Sequence, residues 1–96
     1  MEFRFRDRRL HDLYESGTGR LARRFPPEAV RAFFRVMLII ESAENATELR
    51  RFRGLRYHAL RGSRAGQAAL WLNDQFRLVV ALHKDELEII EIVDYH

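Results

Sequence analysis

The sequence predicts an α+β fold: N-terminal helices packed on a small, mainly antiparallel twisted β-sheet. Three observations predict it. An apolar run with three-four spacing follows a Pro26-Pro27 pair in the first half. Short apolar segments joined by brief polar turns fill the second half. The helices also come first and the strands later, an order that suits a sheet covered by segregated helices. A chain of 96 residues suffices for one domain spanning 1–96.

Glu2-Phe3-Arg4-Phe5-Arg6 alternates in polarity and predicts a short strand. Residues from about Arg8 to Tyr14 predict a brief helix with Leu10, Leu13 and Tyr14 on one side, and Ser16-Gly17-Thr18-Gly19 predicts a loop. The strongest helix begins at Phe25-Pro26-Pro27-Glu28. Proline loses no intrahelical bond in a first turn, and Glu28 complements the positive helix start. Val30, Phe33, Phe34, Met37, Leu38 and Glu41 then follow one face, broadened by Ile39 and Ile40. Residues 41–47 close this helix and lead into a basic segment, 48–54. Four strands are expected after it, at 55–60, 67–72, 75–82 and 87–95. The polar connections between the last three are too short for parallel crossovers and favour hairpins.

Composition excludes several classes. There is no cysteine, hence no disulfide and no thiolate metal site. No apolar run approaches the roughly 20 residues of a membrane span, and the charged start lacks a secretory pattern. A cytoplasmic protein is expected. The formal charge of +3 hides a gradient: +7 through Asn73 and −4 from Asp74. Lys84 is the sole lysine among 17 basic residues. Arginine forks suit phosphate oxygens, so the basic portion favours a nucleic-acid partner.

Strand alternation places the polar candidates. On the last strand Glu88, Ile90, Ile92, Asp94 and His96 share one face, and Leu87, Ile89, Glu91, Val93 and Tyr95 the other. Phe76, Leu78, Val80 and Leu82 form an apolar set that must face the helices, which turns Arg77 to the open face. A meander then sets Arg77 beside Asp94 and His96, while Tyr95 points away. The loop Arg61-Gly62-Ser63-Arg64-Ala65-Gly66 combines free backbone with two guanidiniums, a weak anion-binding signal. No metal-ligand spacing, nucleophile elbow or phosphate-loop motif occurs.

Three separated motifs carry a resemblance. Residues 56–67 (Arg56-Tyr57-His58-Ala59-Leu60-Arg61 onward), Asn73-Asp74-Gln75-Phe76-Arg77, and the terminal Glu91-Ile92-Val93-Asp94-Tyr95-His96 together resemble the HigB-type plasmid-maintenance killer toxins of the RelE/ParE superfamily. The likeness covers nearly the whole chain. It implies a RelE-like toxin of a type II toxin–antitoxin system, an endoribonuclease that enters the ribosomal A site and cuts messenger RNA. It implies no cofactor and no metal. It also implies a cognate helix-turn-helix antitoxin, HigA-like, through whose complex alone operator DNA is bound. By position, the family's active-site histidine falls on His58, its usual lysine on Arg61, its sheet arginine on Arg77, and its terminal acid, phenol and imidazole on Asp94, Tyr95 and His96.

These residue types suit the chemistry. RNA is cut without a metal when the ribose 2′-OH attacks the adjacent phosphorus, which needs a base, an acid and positive charge on the phosphoryl oxygens. Imidazoles titrate near neutrality, so His58 and His96 are the expected proton carriers. Asp94 is expected as a base or as the group orienting an imidazole. Arg61, Arg64 and Arg77 are expected to hold phosphate, and Tyr95 to stack on a base or position the substrate. Three departures stand out. Arg61 replaces the usual lysine and cannot readily exchange a proton. Phe76 stands where tryptophan is common. Ala68-Ala69-Leu70-Trp71-Leu72 replaces a more polar strand, bearing on antitoxin contact or ribosome docking. The competing readings are a non-nuclease toxin that binds another target such as DNA gyrase, and a catalytically weak RNA- or partner-binding homologue.

Overall fold

The structure, a computed structural model, describes residues 1–95. His96 lies outside the described residues. Five strands form one sheet in the order β1-β5-β4-β3-β2. β1 (Glu2–Phe5) runs parallel to β5 (Glu86–Asp94), while β2 (His58–Ala59), β3 (Gln67–Trp71), β4 (Phe76–His83) and β5 are antiparallel neighbours. The expected α+β class with a mainly antiparallel sheet is what the chain adopts.

Four helices cover one face. α1 (Arg8–Ser16) is capped by Asp7, which accepts from the Arg9 N–H at 2.8 Å, and ends at Gly17 with φ 69°. α3 (Pro27–Ser42) starts at its proline and buries Ala29, Ala32, Phe33, Val36, Met37 and Ile40. The amino group of Met1 donates to the carbonyls of Ile40, Glu41 and Ala43, supplying positive charge where the α3 dipole is negative. Leu38, expected in the apolar stripe, is instead 63% exposed. Val36 and Ile40 centre the buried arc, and Leu38, two residues or about 200° from each, falls on the opposite side of the helix.

Two helices were not foreseen. α2 (Arg20–Arg24) has a single buried anchor, Leu21, and α4 (Ala46–Arg51) has only Leu49. One anchor in five or six residues leaves no period to read. Asn45 nevertheless caps α4 by accepting from the Glu48 N–H at 2.9 Å, a local signal present in the sequence. The strand expected at 55–60 shrinks to His58–Ala59. Leu55 is buried at the end of a 3-10 turn, and Arg56 has φ 46°, a left-handed conformation that cannot continue a strand.

The core lies between the helices and one sheet face, joining Leu10, Leu13, Phe33, Met37 and Ile40 to Leu70, Leu78, Val80 and Ile89. Phe76 packs edge-on to Phe25 at 5.5 Å, so the phenylalanine fills its apolar site as expected. The other face holds a small cluster of Val79, Ala81 and Ile90, flanked by Leu60 and Val93.

The β4–β5 ladder contains the feature that places the site. Val79 pairs with Glu91 but Val80 pairs with Ile89, so Ile90 is an extra residue on β5. Such a bulge reverses the alternation beyond it. Glu88 and Ile90 share the open face before the bulge, but Glu91 and Val93 occupy it afterwards. Simple alternation along β5 therefore misassigns its C-terminal part.

Candidate active site

Arg77 does reach the open face, half-buried and paired across strands with Trp71 and Val93. Its Nη1 donates to the carbonyls of Asn73 at 2.6 Å, in the turn preceding β4, and Phe76 at 3.0 Å, the first residue of β4. This leaves Nε and Nη2 without hydrogen bonds to described residues. The guanidinium carbon lies 4.5 Å from the centroid of the Tyr95 ring, which is 50% exposed. The Tyr95 N–H donates to the Gln75 carbonyl at 2.6 Å and fixes the strand end.

Tyr95 and Asp94 have thus exchanged their expected places. Because of the bulge, Tyr95 joins Arg77 on the open face. Asp94 pairs with Phe76, whose ring faces the helices, and its Oδ2 accepts from Gln75 Nε2 at 3.1 Å. It borders a groove with Arg24, Phe25 and Pro26 at the C-terminal end of β5. The expectation that Asp94 lies beside Arg77 is corrected accordingly. The expected role of His96 falls outside the described residues.

His58 pairs with Ala69, and Ala69 with Val79, which puts the exposed imidazole on the face of Arg77. Its Nδ1 is 3.5 Å from the Arg56 carbonyl oxygen. The register sets His58 and Arg77 two strand spacings apart, about 10 Å, and two residues apart along the strands, about 7 Å. Arg61 is exposed in the loop after β2 and forms no ion pair with a described residue. Arg64 differs: its Nη1 donates to Gln67 Oε1 at 2.8 Å and its Nη2 to Glu91 Oε2 at 2.6 Å. Glu91 already neutralises Arg64, so its capacity for phosphate is reduced.

Two groups on this face escaped the sequence reading. The Arg56 guanidinium lies 4.7 Å from the Trp71 ring centroid. At the other end of the sheet, Glu88 accepts from Arg6 Nε at 2.8 Å and pairs with His83 Nε2 at 2.8 Å. Hydrogen bonding to Arg6, then to His83, holds the Glu88 carboxyl down at about 2. The pairing of β1 with β5 brings Arg6 there, a non-local contact with no sequence signal. Among the described residues no three His, Cys, Asp or Glu converge as metal ligands, and no helix is long and apolar enough to cross a membrane.

The architecture defines a class: an α+β domain with a RelE-like fold. Among solved structures, the YoeB/ParE toxin from Agrobacterium tumefaciens is similar with a TM-score of 0.61 and 19% identity, all of both chains being covered. YafQ from E. coli gives 0.60 and 13%, covering 97% of this chain and 91% of that one. The YoeB–YefM complex from Staphylococcus aureus gives 0.58 and 16%, covering 100% and 97%. At these identities the likeness is one of fold. Among curated proteins no sequence match was found. The family model described as "RelE-like toxin of type II toxin-antitoxin system HigB" matches residues 3–96. The chain belongs to the HigB-like toxin family.

Proposed function

We propose that this HigB-like toxin is a ribosome-dependent endoribonuclease that cuts messenger RNA without a metal. The observation that carries the reading is the Arg77 guanidinium seated on the Tyr95 ring, on the same sheet face as the His58 imidazole.

In this reading the 2′-oxygen attacks the adjacent phosphorus while its proton passes to a base. The bond from phosphorus to the 5′-oxygen breaks, and that oxygen takes a proton from an acid. The products are a 2′,3′-cyclic phosphate and a 5′-hydroxyl. His58 is one proton carrier and the terminal His96 the other. The Arg56 carbonyl near Nδ1 leaves Nε2 of His58 to face the substrate. The two nitrogens of Arg77 without hydrogen bonds to described residues hold the phosphoryl oxygens, joined by exposed Arg61. Tyr95 offers its exposed ring to a base. Asp94, bonded to Gln75 at the strand end, positions the terminal residues rather than the scissile phosphate. Arg61 contributes charge only, since arginine stays protonated.

The reading extends to partners and place. The toxin works in the cytoplasm at the ribosomal A site and is neutralised by a helix-turn-helix, HigA-like antitoxin. A structural relative solved as the YoeB–YefM complex supports an antitoxin partner. The test uses purified toxin and ribosomes programmed with a defined message. Wild-type protein is expected to cut within the message, and His58→Ala to leave it whole. Uncut message with the wild type, accompanied by gyrase-dependent DNA breaks, would replace this reading with a gyrase-directed toxin.

A further inference from the structure

We propose that Arg56 and Trp71 form a stacking subsite for a second nucleobase of the RNA, beside the platform of Arg77 and Tyr95; the proposal rests on the RNA-cutting reading of this face.

The geometry comes from the register. Trp71 is the last residue of β3 and the cross-strand partner of Arg77, so indole and guanidinium rise side by side from one face. Arg56, two residues before the ladder begins at His58, turns out of the strand toward Trp71. Its guanidinium lies on the indole at 4.7 Å. The layers are distinct: Trp71 is half-buried and Arg56 exposed. Next to it Arg77 is half-buried and Tyr95 exposed. Each platform thus has an inner and an outer planar group, and the two inner groups are paired neighbours.

Three further observations favour a ligand over simple packing. Arg56 adopts φ 46°, a conformation rarely occupied by residues other than glycine. The same backbone puts its carbonyl 3.5 Å from His58 Nδ1, so one strained residue orients both the imidazole and the stack. Arg56, like most of the arginines, has no carboxylate partner among the described residues. Its charge is therefore not neutralised by a described residue. Finally, Trp71 Nε1 is enclosed without a hydrogen-bond partner among the described residues. Phenylalanine would avoid that unsatisfied donor, so a wide aromatic floor, not packing alone, accounts for the indole.

Splayed RNA bases stack on aromatic rings and on guanidinium planes. A guanidinium set over an indole offers a planar group of this kind, with charge for the neighbouring phosphate. Loss of one stacked base weakens binding on the order of 10- to 100-fold.

Trp71 is the sole tryptophan, so its indole N–H gives one resonance that reports the subsite directly. The full-length toxin is titrated with a short single-stranded RNA carrying 2′-deoxyribose at the cut site, and with the same strand lacking one base. The intact strand is expected to shift the indole resonance, and removal of the base to weaken binding about 10-fold or more. Arg56→Ala is expected to bind at least about 10-fold more weakly with a urea midpoint lowered only slightly, and Arg56→Lys to recover only part. An indole resonance that ignores RNA overturns the subsite, as does equal binding by the base-free strand. If the wild type still cuts message while the resonance stays fixed, only the subsite fails; if message stays whole, the nuclease reading fails instead. Weaker antitoxin binding by Arg56→Ala with unaltered RNA binding would assign the pair to the antitoxin and likewise overturn the proposal.

Discussion

Replacing Arg77 with methionine separates structure from chemistry most sharply. The substitution keeps an unbranched side chain against Trp71 but removes two charged hydrogen bonds, to the Asn73 and Phe76 carbonyls, and the stack on Tyr95. Charged hydrogen bonds contribute about 1.5–3 kcal/mol when buried, and less for a half-exposed donor; the stack adds about 0.5–1 kcal/mol. A total loss of about 2 kcal/mol follows, or roughly 10 °C in melting temperature for a chain this size. A domain with about 5 kcal/mol or more of stability remains almost wholly folded after such a loss. Any large fall in cleavage then cannot come from unfolding. Removal of a preorganised charge from a phosphoryl transition state costs about 100- to 1,000-fold in rate. Urea unfolding and single-turnover cleavage of ribosome-bound message, measured on one preparation, check both numbers. A variant destabilised by about 2 kcal/mol that cuts at the wild-type rate would make Arg77 a structural residue and refute the phosphate role.

Other substitutions and conditions probe separate links. His58 is exposed with one long hydrogen bond among the described residues, so His58→Ala is expected to stay within about 0.5 kcal/mol in urea unfolding while cleavage falls about 100-fold or more. Glu88 is held at about 2 in the folded protein against an ordinary 4.5. Its folded pKa is depressed, so its contribution is present above about pH 4.5 and is lost as pH falls toward 2. With Arg6 half-exposed this amounts to about 2 kcal/mol, and Glu88→Gln is expected to flatten that part of the acid-unfolding curve. Phe33 is fully buried, and Phe33→Ala is expected to cost about 3–5 kcal/mol in the same assay. Toxin binding to ribosomes is expected to weaken steeply with salt, since each phosphate contact releases counterions; a flat response in sedimentation would contradict it.

Much of this was legible because local patterns carry it. The Pro26-Pro27 start and the spacing of Phe33, Met37 and Ile40 announce α3, and the alternation of Phe76, Leu78 and Val80 fixes which face meets it. That alternation also turned Arg77 the right way. β5 failed for a physical reason: the extra residue Ile90 is a pairing fact, visible only against Val79 and Val80 of β4. It moved Tyr95 to the open face and Asp94 off it. Short helices with one anchor, at Leu21 and Leu49, offer no period. The Arg56–Trp71 stack was within reach, since Arg56 opens the 56–67 motif and Trp71 lies in the segment that follows it. Seeing it required knowing that Arg56 turns left-handed out of the strand. Non-local pairing hid the contact of Arg6 with Glu88.

The central claim is that a 2′-hydroxyl, handled by His58 and fronted by Arg77, opens the phosphodiester. Its most direct test is cleavage of two ribosome-bound messages identical except for a single 2′-deoxyribose on the 5′ side of the cut, with end-group analysis of the product. The account predicts a 2′,3′-cyclic phosphate from the all-ribose message and no cut at the deoxy position. Equal cutting of both messages, or a 5′-phosphate on the downstream fragment, would contradict it.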